Sequence, residues 1–222
     1  MTRKTAPYGS WRSPIVADLI VAGTVGVSQT AMDGEHVYWI EGRPAERGRN
    51  VIVRRTADGE IEDVTADGHN ASTRVHEYGG GSYVVADGTV FYSNFSDQRL
   101  YGQRPGEDPE PLTPDGIDLR YGDAAVDVPG RRLIAIREDH SDLGRTGEAV
   151  NEIVCVSADP ELGAPEEVLV TGADFYSNPR LSPDGSRLCW LQWNHPNMPW
   201  DGCELWVAEI GDVDMVNARR VA

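Results

Sequence analysis

Apolar and polar residues alternate through most of the chain in short runs, broken at intervals by turn-forming dipeptides. The runs VSQTAMDGEHVYWIE, SYVVADGTVFYSNF, AAVDVPGRRLIAIRE and NPRLSPDGSRLCWLQW each set Asp-Gly or Pro-Gly between β-type segments, the strongest short-range signature of a hairpin. A further apolar segment follows each one (NVIVRRT, RLYGQR, NEIVCVS, ELWVAEI), and then a short polar one (IEDVT, EPLT, EEVLV, RRVA). A four-strand phrase therefore recurs four times. The turn glycines Gly34, Gly88, Gly130 and Gly185 stand 54, 42 and 55 positions apart, close to the ~40–50 residues of a four-stranded propeller blade. Helical periodicity is nearly absent, and only SPIVADLIVAG suits a short helix as well as a strand.

The predicted fold is all-β: a β-propeller segment of about four four-stranded blades, a partial ring, with blades near 27–70, 82–116, 121–174 and 176–222. A sandwich explains strands and turns but not one phrase repeated in order. A ring left open after four blades has two exposed edges, which predicts oligomerisation through those edges.

Charge narrows the partners. Twenty basic against 36 acidic residues leave a formal charge of −16, which repels nucleic acid and anionic membrane surfaces and favours a cationic or amine-bearing ligand. Cys155, Cys189 and Cys203 form no CxxC pair, so all three read as free structural thiols. The basic N-terminus is interrupted by polar residues and Pro14 before any signal-type apolar stretch. No segment approaches ~18 apolar residues, and a soluble cytoplasmic protein is expected.

The candidate chemistry is sparse. There is no G-x-S-x-G nucleophile elbow, since Thr30 and Val84 stand where the second glycine is needed after Ser28 and Ser82. His36, His69, His76, His140 and His195 are scattered without metal-ligand spacing, and no metal or cofactor is expected. DHSDLGRTGE (139–148) lacks EF-hand spacing and reads as a polar loop. Two stretches remain. In RVHEYGGG (74–81) Arg74, His76, Glu77 and Tyr78 precede three glycines at a strand end. There Glu77 is either a fixed carboxylate that receives an amino group or one partner of a structural ion pair. In LQWNHPNMPWDGCELW (191–206), Trp193, His195, Met198 and Trp200 lie with two prolines in a loop of the fourth blade. Such a stiff aromatic loop is a pocket wall, a docking surface or a self-packed cover.

YGSWRSPI, WIEGRPAERGRNVIVRR, RVHEYGGGSY and SNPRLSPDGSRLCWLQWNHPNMPWDGCELWV together resemble the N-terminal propeller of prolyl oligopeptidase-family serine peptidases, in the dipeptidyl aminopeptidase/acylaminoacyl peptidase branch. The resemblance runs over essentially the whole chain. It implies a propeller of about seven blades covering an α/β-hydrolase domain that carries a Ser-Asp-His triad. That catalytic domain and the remaining blades are absent from these residues, so the chain by itself is expected to hydrolyse nothing. The resemblance also implies that acidic propeller side chains hold the substrate's free amino terminus, with Glu77 the candidate and Arg74 orienting it or meeting a substrate carbonyl. The expected role is substrate gating and peptide N-terminus binding by Glu77, Arg74, His76, Tyr78 and Trp200, with a peptide and the α/β-hydrolase domain as partners. The alternative is a free-standing acidic interaction module with no enzymatic role.

Overall fold

The structure is a computed structural model that describes residues 5–10, 12–21, 23–115, 118–127, 131–143, 147–160, 165–211 and 215–222. Among the described residues sixteen strands form four separate sheets, each a four-stranded antiparallel meander in sequence order. The first holds β1 (Gly26–Asp33), β2 (His36–Arg43), β3 (Arg49–Arg55) and β4 (Ile61–Asp63). The second holds β5 (Tyr83–Ala86), β6 (Thr89–Ser93), β7 (Leu100–Gln103) and β8 (Glu110–Pro111). The third holds β9 (Leu119–Asp127), β10 (Arg132–Asp139), β11 (Val150–Ser157) and β12 (Glu167–Val170). The fourth holds β13 (Phe175–Leu181), β14 (Arg187–Trp193), β15 (Glu204–Ile210) and β16 (Met215–Arg220). SPIVADLIVAG resolves as a short helix, α1 (Ala17–Val21). Among the described residues no helix is long and apolar enough to cross a membrane.

Turn chemistry accounts for the hairpins. In the second sheet Ala86 pairs with Thr89, and both connecting residues, Asp87 and Gly88, take positive φ of 50° and 76°. That is the type I′ geometry whose twist matches the strands it joins. The fourth sheet departs from a two-residue hairpin: Leu181 pairs with Leu188, and the Ser182 amide closes onto the Arg187 carbonyl at 2.9 Å. The Pro129-Gly130 turn of the third repeat lies outside the described residues.

The first strands β1, β5, β9 and β13 lie side by side in succession, so the sheets radiate from a common line. The core consists of three apolar layers between consecutive sheets. Tyr38, Ile40 and Ile52 meet Val90 and Tyr92 across the first junction. Phe91 and Leu100 meet Leu133 and Val154 across the second, and Ile134, Ile136 and Ile153 meet Leu188 and Trp190 across the third. Four wedges with three buried junctions make an arc of a β-propeller. Period-two alternation produces this layering, because Leu133 and Ala135 face one neighbour while Ile134 and Ile136 face the other.

The inner strands are also stitched by polar contacts. Gln29 at φ 48° accepts the Ser82 amide at 2.8 Å. Asp123 at φ 49° donates its amide to the Gly81 carbonyl at 2.6 Å and accepts the Asn178 amide at 2.6 Å. Ladder irregularities accompany Gln29 in β1 and Asn178 in β13. At Gln29 and Asp123 such an irregularity turns a polar side chain onto the Ser82 and Asn178 amides.

Candidate functional site

Residues 71–74 run along the second sheet, with Ala71 bridging Asn94 and the Arg74 amide on Gln98 Oε1 at 2.7 Å, and the segment after them meets the third and fourth sheets. Val75 is buried among Ile136, Tyr176 and Trp190, and this apolar anchor fixes the segment. The stretch expected as a strand end is a compact turn. The Glu77 amide bonds the Arg74 carbonyl and the Gly79 amide the Val75 carbonyl, each at 2.9 Å. His76, Glu77 and Gly79 have φ of 58°, 64° and 82°. The third sheet holds this strained turn: the buried Glu138 carboxylate accepts the His76 amide at 2.6 Å and also meets His140 Nε2 at 3.1 Å.

Glu77 is 77% exposed and pairs with Arg120 Nη1 at 2.6 Å through Oε1. The hydrogen bond from Arg120 holds the Glu77 carboxyl below the usual carboxylate range, with the guanidinium's charge acting in the same direction. Its second oxygen makes no hydrogen bond among the described residues. Arg120, not Arg74, is therefore the orienting arginine. The Arg74 guanidinium lies 4.4 Å from the Phe95 ring centroid, and the Arg74 carbonyl accepts from Arg120 at 3.3 Å.

Glu77 opens into a cavity of about 230 Å³ shared with Arg120, His140, Glu148, Asp174 and His195. Asp174 accepts the His195 amide at 2.8 Å and contacts its Nδ1 at 3.1 Å. The backbone bond to His195 is the main reason its carboxyl is also held down. Three carboxylates face one guanidinium there, and a cation is the complementary ligand.

On the other side of the same turn, His76 sits in an aromatic layer. Its ring centroid is 5.4 Å from Trp193 and 5.8 Å from Tyr78, and Trp193 stacks on Phe175 at 5.4 Å. Burial pushes the His76 imidazole down, opposed by Glu138 and the Tyr176 backbone. Tyr78 is 64% and Trp200 74% exposed. Trp200 lines neither space about the turn, although its neighbour Pro199 lines the one beyond His76. The structure thus brings Glu77, His76 and Tyr78 together and sets Arg74 and Trp200 to either side. Among the described residues no cluster of His, Cys, Asp and Glu could hold a metal ion, and the cysteines are free.

Four four-stranded sheets in an arc, with an acidic, arginine-buttressed turn among them, define a segment of a β-propeller. Comparison makes this specific. A puromycin-hydrolyzing peptidase of Mycobacterium tuberculosis is 38% identical with a TM-score of 0.83, over 99% of this chain and 36% of that one. A puromycin hydrolase is 33% identical with a TM-score of 0.84, over 98% and 35% of the two chains. A serine-to-alanine mutant of puromycin hydrolase complexed with PGG is 33% identical with a TM-score of 0.82, over 97% and 35%. The chain spans about a third of the length of these relatives. No protein-family model and no curated protein matches the sequence. Over its whole length the chain resembles the propeller part of prolyl oligopeptidase-family peptidases.

Proposed function

We propose that this propeller segment gates a peptidase and captures the free amino terminus of the substrate at Glu77. An α/β-hydrolase domain outside these residues supplies the serine nucleophile. One observation carries the proposal: a carboxylate whose Oε1 is held by Arg120 has its second oxygen without a hydrogen bond among the described residues, in a cavity where three carboxylates face one guanidinium and two imidazoles. A peptide ammonium placed there gains a charge-assisted hydrogen bond of about 1.5–3 kcal/mol. Asp174 and Glu148 on the far wall add a favourable field without direct contact. Arg120 keeps Glu77 from folding back, and Tyr78 and Trp200 offer exposed aromatic surface outside that cavity. The relatives support the peptidase assignment, since they are titled as puromycin-hydrolyzing enzymes and one holds PGG. Three free thiols suit a reducing compartment, and the proposal places the protein in the cytoplasm.

The test is calorimetric titration of the chain with a tripeptide amide and with its N-acetylated counterpart. The free-amine peptide should bind about tenfold tighter or better, and Glu77→Gln should erase the difference. Equal binding of the two peptides, or a difference that survives Glu77→Gln, would refute the role of Glu77.

A second reading, an interaction module, draws on the outer face of the fourth sheet. There Cys189, Leu191, Leu205 and Val207 are only partly buried. Stable self-association or capture of a protein partner by this face, with no amine preference, would favour it.

A further inference from the structure

The acidic cavity holds groups whose charge depends on pH. Glu77, Glu148 and Asp174 line it together with one guanidinium, Arg120, and two imidazoles, His140 and His195. Three carboxylates against one guanidinium leave a formal −2 while both imidazoles are neutral, and histidine is the side chain whose charge ordinarily changes between about pH 5 and 8. The two imidazoles are placed differently. His140 is largely buried, and its Nε2 meets Glu138 at 3.1 Å, with Glu77 and Asp139 also within its field. His195 belongs to the opposite wall. Its Nδ1 lies 3.1 Å from Asp174 and 3.9 Å from Glu148, so one ring addresses two of the three carboxylates.

The His195 ring is 52% exposed to solvent protons yet held in position. Its backbone amide donates at 2.8 Å to the Asp174 oxygen that also meets Nδ1. Phe175, which lines the same cavity, backs the imidazole with ring centroids 4.9 Å apart. One N–H at Nδ1 suffices for the contact with Asp174, so a second proton on the ring adds a full positive charge to the cavity without requiring the chain to move. Arg120 carries its charge in both states, and its hydrogen bond keeps the Glu77 carboxyl below the usual carboxylate range. Neither of these groups changes charge between about pH 7 and 5.5.

We propose that His195 switches the cavity's affinity for amines with pH: as an imidazolium it neutralises Asp174 and Glu148 and repels a ligand ammonium, and as a neutral imidazole it leaves their charge to the ligand. The proton is taken from solvent and returned to it. The proposal rests on the reading of this cavity as an amine site and adds its regulation. Two like charges about 7 Å apart at a partly solvated site repel enough to weaken binding about fivefold. Linkage requires the converse, that a bound ammonium drives the proton off His195.

The test titrates the chain with trialanine amide and its N-acetyl derivative at about pH 7 and pH 5.5, and follows the His195 imidazole by NMR. The free amine stays largely protonated at both values, since an α-amino group titrates near ~8. It should bind about fivefold more weakly at the lower pH, the acetylated peptide should show no such change, and the His195 titration midpoint should fall when the free amine is bound. His195→Gln should remove the pH difference. Equal affinity at the two pH values, a His195 midpoint unmoved by the ligand, or a pH difference that persists in His195→Gln overturns the proposal. If Glu77→Gln erases the preference for the free amine but that preference is the same at both pH values, the switch alone fails. If His195→Gln removes a pH difference while Glu77→Gln leaves the preference intact, the Glu77 reading alone fails.

Discussion

Glu138 is the joint on which the candidate site turns, and replacing it tests whether the third sheet holds the ligand-facing turn. Its side chain is 5% exposed and makes two contacts within hydrogen-bond reach, to the His76 amide at 2.6 Å and to His140 Nε2 at 3.1 Å. Arg120 stands a further step away at 3.9 Å. A hydrogen bond to an ionised acceptor contributes about 1.5–3 kcal/mol, and a partly buried amide left unpaired adds to the loss. Glu138→Ala should therefore cost about 3 kcal/mol, and at about 2–4 °C per kcal/mol for a chain of this size Tm should fall by about 6–12 °C. Glu138→Gln keeps an oxygen for the His76 amide and loses only the charge, so about 1 kcal/mol is expected. Urea unfolding with unchanged m values is the assay. An alanine variant within about 0.5 kcal/mol of the native chain would show that the turn is held elsewhere.

Two further predictions concern the frame around the site. Asp123→Ala removes the acceptor of the Asn178 amide and puts alanine at φ 49°, for an expected cost of about 2–3 kcal/mol. Asp123→Asn keeps an acceptor and tolerates that backbone, so it should cost less than half as much and preserve hydrogen-exchange protection at Asn178; equal costs would contradict the stitch. His76 sets a pH dependence. Its folded pKa lies below the ordinary ~6.5 because of burial, so the unfolded chain takes up protons first as the medium is acidified. The contribution is present above ~6.5 and lost as pH falls toward the lowered folded value. His69 acts with the same sign through its own burial. His76→Phe should flatten the fall in unfolding free energy between about pH 7 and 5.5, and an unchanged slope would refute the assignment.

The sheets were legible because their signals are local. Alternation over a few residues and a turn dipeptide placed β5–Asp87-Gly88–β6, and recurrence of the phrase implied radial sheets. The site was legible only in part. RVHEYGGG stood out by its glycines, but its partners come from other sheets: Arg120 lies 43 positions from Glu77, and Glu138 lies 62 from His76. Spacing along the chain carries no information about which sheets meet at a junction. One signal did exist. In RLIAIRED, Glu138 continues the Ile134–Ile136 face that packs on the fourth sheet, and a carboxylate at a core register needs a fixed partner. Arg120 as the partner of Glu77 was not legible either, and Arg74 lies instead against the Phe95 ring at 4.4 Å.

The account stands most directly on where a ligand's ammonium nitrogen sits. A crystal structure of the chain with a tripeptide amide should place that nitrogen about 3 Å from a Glu77 carboxylate oxygen. An ammonium bound away from Glu77, with that carboxylate occupied by Arg120 alone, would contradict it.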